Sequence, residues 1–413
     1  MTQTLPSTRT TEFEIRAVED GDLRAANAVF MEALHEESPD DEKWAILAKG
    51  YEPGRTYGAF AGGTVVGATM SFTSDLTVPG GAVVSMAAVT GVGVRTDHRR
   101  RGVLTGLMRR QLADLADAGE VLATLHASEP TIYGRFGYGV GTVSRVTRVR
   151  PARARLRAEV PTAGTVRLLT RDEALTLLPE AYARLRPRRA GVMGRAPSWW
   201  AMAYEYRMAH SRQRVAAHHG PDGEIDGMIA FRSVEIPSDD PRTGAGVAVL
   251  DFMGANQAVE NDLWRFVLGI DLVDEVTVYM RPLDDPLEAM LENAHGARGE
   301  WDDELWVRVV DVPAALAART YGAADPVVVE VVDPILPANS GRYLVGGPRG
   351  AERTDAPAAL TLDVEALGMV YLGAWRPSKL AEIGRLTAHA PAALPAADRL
   401  FATDEPSWCG SMF

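Results

Sequence analysis

The chain has 413 residues and only one cysteine, Cys409. One thiol excludes an internal disulfide framework and fits a reducing compartment. No histidine stands near Cys409 in the sequence, so it lacks a visible activating base and reads as a bystander. Unbroken apolar runs are also missing. The uncharged stretch Leu76 to Val94 approaches bilayer length, but Pro79, Gly80 and Gly81 split it into a hairpin. The N-terminus, MTQTLPSTRT, has no apolar centre and is not a signal peptide. A cytoplasmic protein without a membrane partner is therefore expected. Excess positive charge is absent as well: 43 Lys and Arg face 55 Asp and Glu, for a net charge of −12. That balance argues against nucleic acid and modestly favours cationic small molecules or basic peptides. Neither a Gly-Lys-Ser/Thr phosphate loop nor a G-x-G-x-x-G dinucleotide loop occurs, and no metal is expected.

What remains is an ordinary globular composition, 46% hydrophobic and 24% charged, on a chain long enough for two or three domains. The most informative stretch runs from Val89 to Met108. Val89, Val92 and Val94 read as a strand, whose Gly91 and Gly93 let another backbone approach closely. From Leu104 the period changes, and Leu104, Leu107, Met108, Leu112 and Leu115 share one helix face. Between them lie Arg99, Arg100, Arg101 and Gly102. A strand, a basic glycine-containing turn and a helix start together make an anion cradle, because the first helical N–H groups are unpaired and positively polarised. The plainer alternative is a surface turn with solvated arginines. The turn resembles the pyrophosphate loop of the GNAT acetyltransferases, R-x-x-G-x-G/A, with Arg99 and Gly102 in place and Leu104 at the last position.

Before this stretch, Phe13–Val18 reads as an edge strand, followed by a helix to about Leu34. An acidic stretch from His35 then leads to Trp44, which is either part of a solvated loop or an entrance that stacks a polyamine on the indole. Strands are expected over Thr56–Ala61, Thr64–Thr73 and Ala82–Val94, a helix over Arg101–Ala118 and a buried strand over Val121–His126. Ser128 and Glu129 follow, then the glycine-spaced aromatics around Tyr133, read as a packed turn or a reactive site.

After a proline-punctuated linker at Arg153–Pro161 the pattern restarts, with strand Val166–Leu169, hairpin Val215–Val234, strand Val247–Met253, helix Asn256–Leu268 and strand Glu275–Met280. This is a weak repeat at roughly 150-residue spacing, judged by element order. At the position of the phosphate loop the second copy has no arginine and ends in Glu260, so it should not bind an anion. From Leu305 further strands and helices fill the chain to Phe413.

"RTDHRRRGVLTGLM" followed by "LHASEPTIYGRFGYG" closely resembles the Eis (enhanced intracellular survival) family of GNAT-type N-acetyltransferases, in which the loop also carries the leucine. The likeness continues through "DDPLEAML", "LWVRVVDVPAALAAR" and "VYLGAW" to the last residue. It implies an α/β (α+β) protein: two tandem GNAT-like mixed-sheet domains, the first over residues 1–150 and a degenerate second over 151–300, then a sterol-carrier-protein-like domain over 301–413. It also implies acetyl-CoA as cosubstrate, aminoglycoside or similar polyamine acceptors with protein lysines as an alternative, and a homo-hexamer.

Residue by residue, the resemblance implies that Val92, Gly93 and Val94 pair with the pantetheine arm. Arg99, Arg100, Arg101, Gly102, Val103, Leu104 and Thr105 would hold the pyrophosphate, with Ser128 and Glu129 as further cofactor contacts. Tyr133 corresponds to the family's general acid, and the carboxylate of the terminal aromatic residue, Phe413, to a group that enters the first domain's active site as base and substrate contact. His126 has the more suitable reference pKa and is the rival base. A lipid carrier with a vestigial transferase is the non-enzymatic alternative.

Overall fold

The computed structural model describes residues 13–237 and 244–413. The N-terminal segment read above as no signal peptide lies outside them. Two seven-stranded mixed sheets and one five-stranded sheet make up the architecture.

The first copy runs β1 (Glu14–Ala17), α1 (Leu23–Ala33), α2 (Asp41–Leu47), β2 (Thr56–Ala61), β3 (Thr64–Thr77), β4 (Val83–Val94), α3 (Val103–Asp117), β5 (Leu122–Leu125), β6 (Gly139–Val140) and β7 (Val143–Val149). The second runs β8 (Thr165–Leu169), α4 (Arg171–Leu185), α5 (Pro197–Trp200), α6 (Tyr206–His210), β9 (Arg214–His219), β10 (Ile225–Glu235), β11 (Ala245–Gly254), α7 (Gln257–Leu268), β12 (Glu275–Arg281), α8 (Leu287–Met290) and β13 (Ala297–Asp303). A single π turn, Ala201–Glu205, joins α5 to α6. The remainder is β14 (Trp306–Val309), α9 (Val312–Ala318), β15 (Val327–Val332), β16 (Gly341–Gly347), β17 (Gly350–Arg353), β18 (Leu360–Asp363), α10 (Val364–Tyr371), α11 (Pro377–Glu382), β19 (Leu386–Ala388) and α12 (Leu394–Phe401).

The sheet orders are β1-β2-β3-β4-β5-β14-β6, β13-β7-β12-β11-β10-β9-β8 and β17-β16-β15-β18-β19. Read from β1 and from β8, the first two sheets have the same plan, including one parallel pair, β4 with β5 and β11 with β12. The sequence repeat is thus a repeat of topology. The sheets do not divide the chain at residues 150 and 300, because the copies trade a strand. β7, from the first copy's end, pairs antiparallel with β12 and β13, and β14, from beyond the second copy, pairs with β5 and β6.

Local chemistry explains the elements near the site. The β3–β4 register slips between Ala68 and Met70, with Gly91 in the bulge at φ 62°. A Cβ on Gly93 would lie 2.9 Å from the Phe30 Cα of α1, so this glycine admits the helix backbone. Arg100 and Gly102 both have positive φ, which keeps the arginines outside α3 and starts that helix at Val103.

The core crosses between sheets: Phe72 and Leu76 of β3, Trp199 and Trp200 of α5, and Val329 of β15 belong to one buried apolar cluster. The third sheet is also tied by charge. Arg308 of β14 donates to Asp333 at 2.7 Å with both side chains fully buried, and Asp333 also accepts from Asn339. Replacing Asp333 by alanine strands a buried guanidinium and should cost about 3–5 kcal/mol in urea unfolding. Pairing it with Arg308→Met should recover most of that loss.

Candidate active site

β4 pairs with β5 only over Met86–Ala88, and beyond that the two strands part. The edge of Val92, Gly93 and Val94 that faces the gap therefore has no strand partner. These residues line a groove of about 760 Å³ that continues along the start of α3, past Gly102, Val103, Leu104 and Thr105. Ser128, Glu129 and Tyr133 form its far wall, and Arg99 and Arg100 border it. Arg101 does not line it. Sequence reasoning missed Arg135 and His35 on the same lining; Arg135, two residues past Tyr133 in the glycine-spaced turn, was the more findable.

Among the described residues no side chain caps α3, so its first N–H groups face the groove without an acceptor from them. In the second copy the equivalent helix, α7, is closed: Asn256 accepts from the N–H groups of Ala258 and Val259 at 3.0 and 3.2 Å. Glu260 adds a carboxylate there and receives a hydrogen bond from Arg281.

The last residues enter from the other side. Arg189 donates to the Pro406 carbonyl at 2.6 Å, Trp408 pairs through its backbone N–H with Ala190 and through its indole N–H with Met280. Glu304 accepts from the N–H groups of Cys409 and Gly410 at 2.9 and 2.8 Å. Arg195 donates to the Ser411 hydroxyl, and Trp199 to the Met412 carbonyl at 2.9 Å. The chain ends with the Phe413 ring edge-on to His126 and Phe72, at centroid distances of 4.8 and 5.6 Å. Phe413 thus lies against His126, the residue just past β5 and two before Ser128 of the groove.

The titratable groups differ sharply. Burial pushes Tyr133 up to about 12, so the phenol keeps its proton at neutral pH. Burial pushes His126 down to about 4, against the opposing pull of the Ser411 and Glu304 carbonyls. His126 Nε2 lies 2.9 Å from the Ser411 carbonyl, which can only accept, so that nitrogen carries the hydrogen of a neutral imidazole. The buried Cys409 thiol is pushed up by burial and held as the unreactive thiol. Trp44 packs at a tilt on Tyr51, with ring centroids 5.5 Å apart, and lines neither the groove nor the cavity beside His126. Its acidic neighbour Asp40 is spent as the cap of α2.

A second cavity, about 320 Å³, opens between the first two sheets beside His126 and Met412. Asp302, Asp303 and Glu304 line it, and so do Arg207 and Arg232. Among the described residues no cluster suited to a metal ion occurs, and no helix is long and apolar enough to cross a membrane.

A splayed parallel pair with an uncapped helix start defines a GNAT-type acetyltransferase site. Residues 14–141 and 191–309 each match an acetyltransferase (GNAT) domain family, and residues 312–410 match a sterol carrier protein domain family. The chain is 43% identical over 356 residues to an uncharacterized N-acetyltransferase of Streptomyces coelicolor, covering 83% of this chain and 84% of that one. It is 34% identical over 364 residues to the N-acetyltransferase Eis of Mycobacterium tuberculosis, covering 84% and 86%. Among solved structures, Eis1 from Mycobacterium abscessus superposes with a TM-score of 0.84 at 36% identity, over 97% of this chain and all of that one. The chain belongs to the Eis family of GNAT N-acetyltransferases. It is an N-acetyltransferase, and its fold implies the use of acetyl-CoA.

Two outcomes follow from this geometry. Gly102→Asp, which forces a side chain into φ 86° and puts a carboxylate at the helix start, should weaken coenzyme A binding about tenfold or more by calorimetry. Asn256→Ala should instead cost about 1 kcal/mol of stability and leave that affinity unchanged. For His126 the folded pKa, about 4, is below the ordinary 6.5. Its contribution to stability is therefore complete above pH 6.5 and lost as pH falls through 4, by about 3 kcal/mol. Urea midpoints measured across that range should fall less in His126→Gln than in the parent.

Proposed function

We propose that the protein transfers the acetyl group of acetyl-CoA directly to an amine that arrives through the inter-sheet cavity, with Tyr133 as general acid and the Phe413 carboxylate as base. The backbone N–H groups at the start of α3 hold the diphosphate, with Arg99 and Arg100 adding charge. The free edge of Val92–Val94 takes the pantetheine amides in the manner of an added strand. A backbone N–H in the opened part of β4 polarises the thioester carbonyl as an oxyanion donor does.

The amine attacks as its proton passes to the Phe413 carboxylate, directly or through a water. The C–S bond then breaks, and Tyr133 donates its proton to the departing thiolate. A phenol pushed up to about 12 is a reluctant donor but a fully protonated one. The terminal carboxylate is preferred to His126 as base because that imidazole is committed to the Ser411 carbonyl and buried to a pKa of about 4. No covalent enzyme intermediate is required. The acidic wall of Asp302, Asp303 and Glu304 suits the protonated amino group of an acceptor.

The observation that carries the reading is the pinned C-terminal tail, which sets Phe413 against His126 at the end of the strand that leads into the groove. Tyr133→Phe and deletion of Phe413 should each lower kcat by about a hundredfold or more with coenzyme A affinity retained. The acid limb of the kcat/KM profile should not move in His126→Gln. Turnover within a few-fold of the parent in either of the first two variants would overturn the assigned roles.

A further inference from the structure

The walls of the inter-sheet cavity carry opposite charge. Arg207 of α6 and Arg232 of β10 line it, and so do Asp302, Asp303 and Glu304, which come from β13 and the residue after it, with three strands between β13 and β10 in the sheet. Among the described residues, no carboxylate forms an ion pair with either arginine. Asp251 acts on Arg207 electrostatically, yet its carboxylate is already taken by Arg195, at 2.6 and 2.9 Å, and by the Tyr204 hydroxyl at 2.6 Å. Burial first, and Arg232 second, hold the Arg207 guanidinium below its usual range. Two guanidinium groups that repel one another across a partly desolvated cavity are an arrangement that an entering anion relieves.

The acidic side is partly spent. Glu304 grips the tail amides, and Asp303 accepts from the Trp306 indole at 2.5 Å. Asp302 remains, its carboxyl pushed up by burial and then by Asp303. It lines the same cavity as His126 and Met412, the side on which the chain end lies.

We propose that the acceptor is a small amine that also bears an oxyanion, a carboxylate or a phosphate, which Arg207 and Arg232 hold while its amino group faces the acidic wall and the chain end. This rests on the acetyl-transfer reading and names the acceptor class for the same site. A planar guanidinium pair matches either oxyanion by two parallel hydrogen bonds. A polycation gains nothing from that wall and meets repulsion there. At about 320 Å³ the cavity lies at the small end of ligand sites, which suits an acceptor of amino-acid or amino-sugar size.

The test is thiol release from acetyl-CoA with matched acceptors that differ in the anion: ε-aminocaproate against hexylamine, and phosphoethanolamine against ethanolamine. Spermidine and neamine serve as polycations. In the parent, the anionic member of at least one pair should have kcat/KM about tenfold higher, and the pair that responds distinguishes carboxylate from phosphate. Arg232→Glu, at an exposed position on β10, should reverse the order within that pair, and Arg207→Gln should raise KM for the anionic member while kcat holds. Coenzyme A calorimetry on both variants certifies their fold. Equal or better transfer to plain amines or polycations by the parent would overturn the acceptor class and leave the transferase reading standing. So would an unchanged order in Arg232→Glu. No transfer to any amine would overturn both.

Discussion

The Glu304 carboxylate holds the molecule's functional geometry together. It is 2% exposed and sits where the chain passes from β13 of the second sheet to β14 of the first. A carboxylate buried at such a seam is costly unless it is hydrogen-bonded. Here the Thr142 hydroxyl and the N–H groups of Cys409 and Gly410 all donate to it. Burial still pushes its carboxyl upward, and those three donors pull the other way. The strand exchange, the tail and the lining of the inter-sheet cavity therefore share one side chain, and the last residues are held by one more than a hundred positions earlier.

Arg195 is the second point of attachment, and it works by position rather than by strength. Its guanidinium lies 4.1 Å from the ring centres of both Tyr182 and Trp199, is doubly bonded to Asp251, and reaches the Ser411 hydroxyl. A buried ion pair adds little net stability once desolvation is counted. This one orients donors toward the tail and so fixes where its last residues lie. With Glu304 on one side and Arg195 on the other, Cys409 to Ser411 are buried, which is unusual for residues so near a chain end.

Much of the fold was legible because it is local. Thr56–Ala61 forms over the same residues that its pattern indicates, and the helix expected over Asn256–Leu268 begins one residue later, at Gln257. The helix expected from Arg101 begins at Val103, because positive φ at Arg100 and Gly102 turns the basic residues out before the helix can start. The exchange of β7 and β14 was not legible, since alternation within a strand shows which face is buried and says nothing of which strand lies alongside. The groove was visible as a motif, and eleven of its twelve proposed cofactor residues lie along one lining. The role of Phe413 came only through family resemblance; pattern alone treats a chain end as loose. The charged cavity was invisible, because Arg207 and Arg232 sit on separate elements and meet the acidic residues only when β10 and β13 share a sheet.

The two copies have diverged in a direction that physical chemistry makes intelligible. Gly102 leaves the start of α3 open, and Asn256 closes the start of α7 with its own side chain. A helix start capped internally has fewer free N–H groups to offer an anion, so the second copy is less suited to a diphosphate although its sheet has the same plan. The groove is lined wholly by residues between Glu32 and Arg135, all within the first copy. The inter-sheet cavity proposed for the acceptor instead draws on β7, α6, β10 and β12 of the second sheet and its helices. Substitutions there can change which amine is admitted without disturbing a single groove residue. Relatives with the same cofactor loop therefore need not share an acceptor, and under the acceptor class proposed above the charge on the cavity wall, rather than the loop, would distinguish among amines.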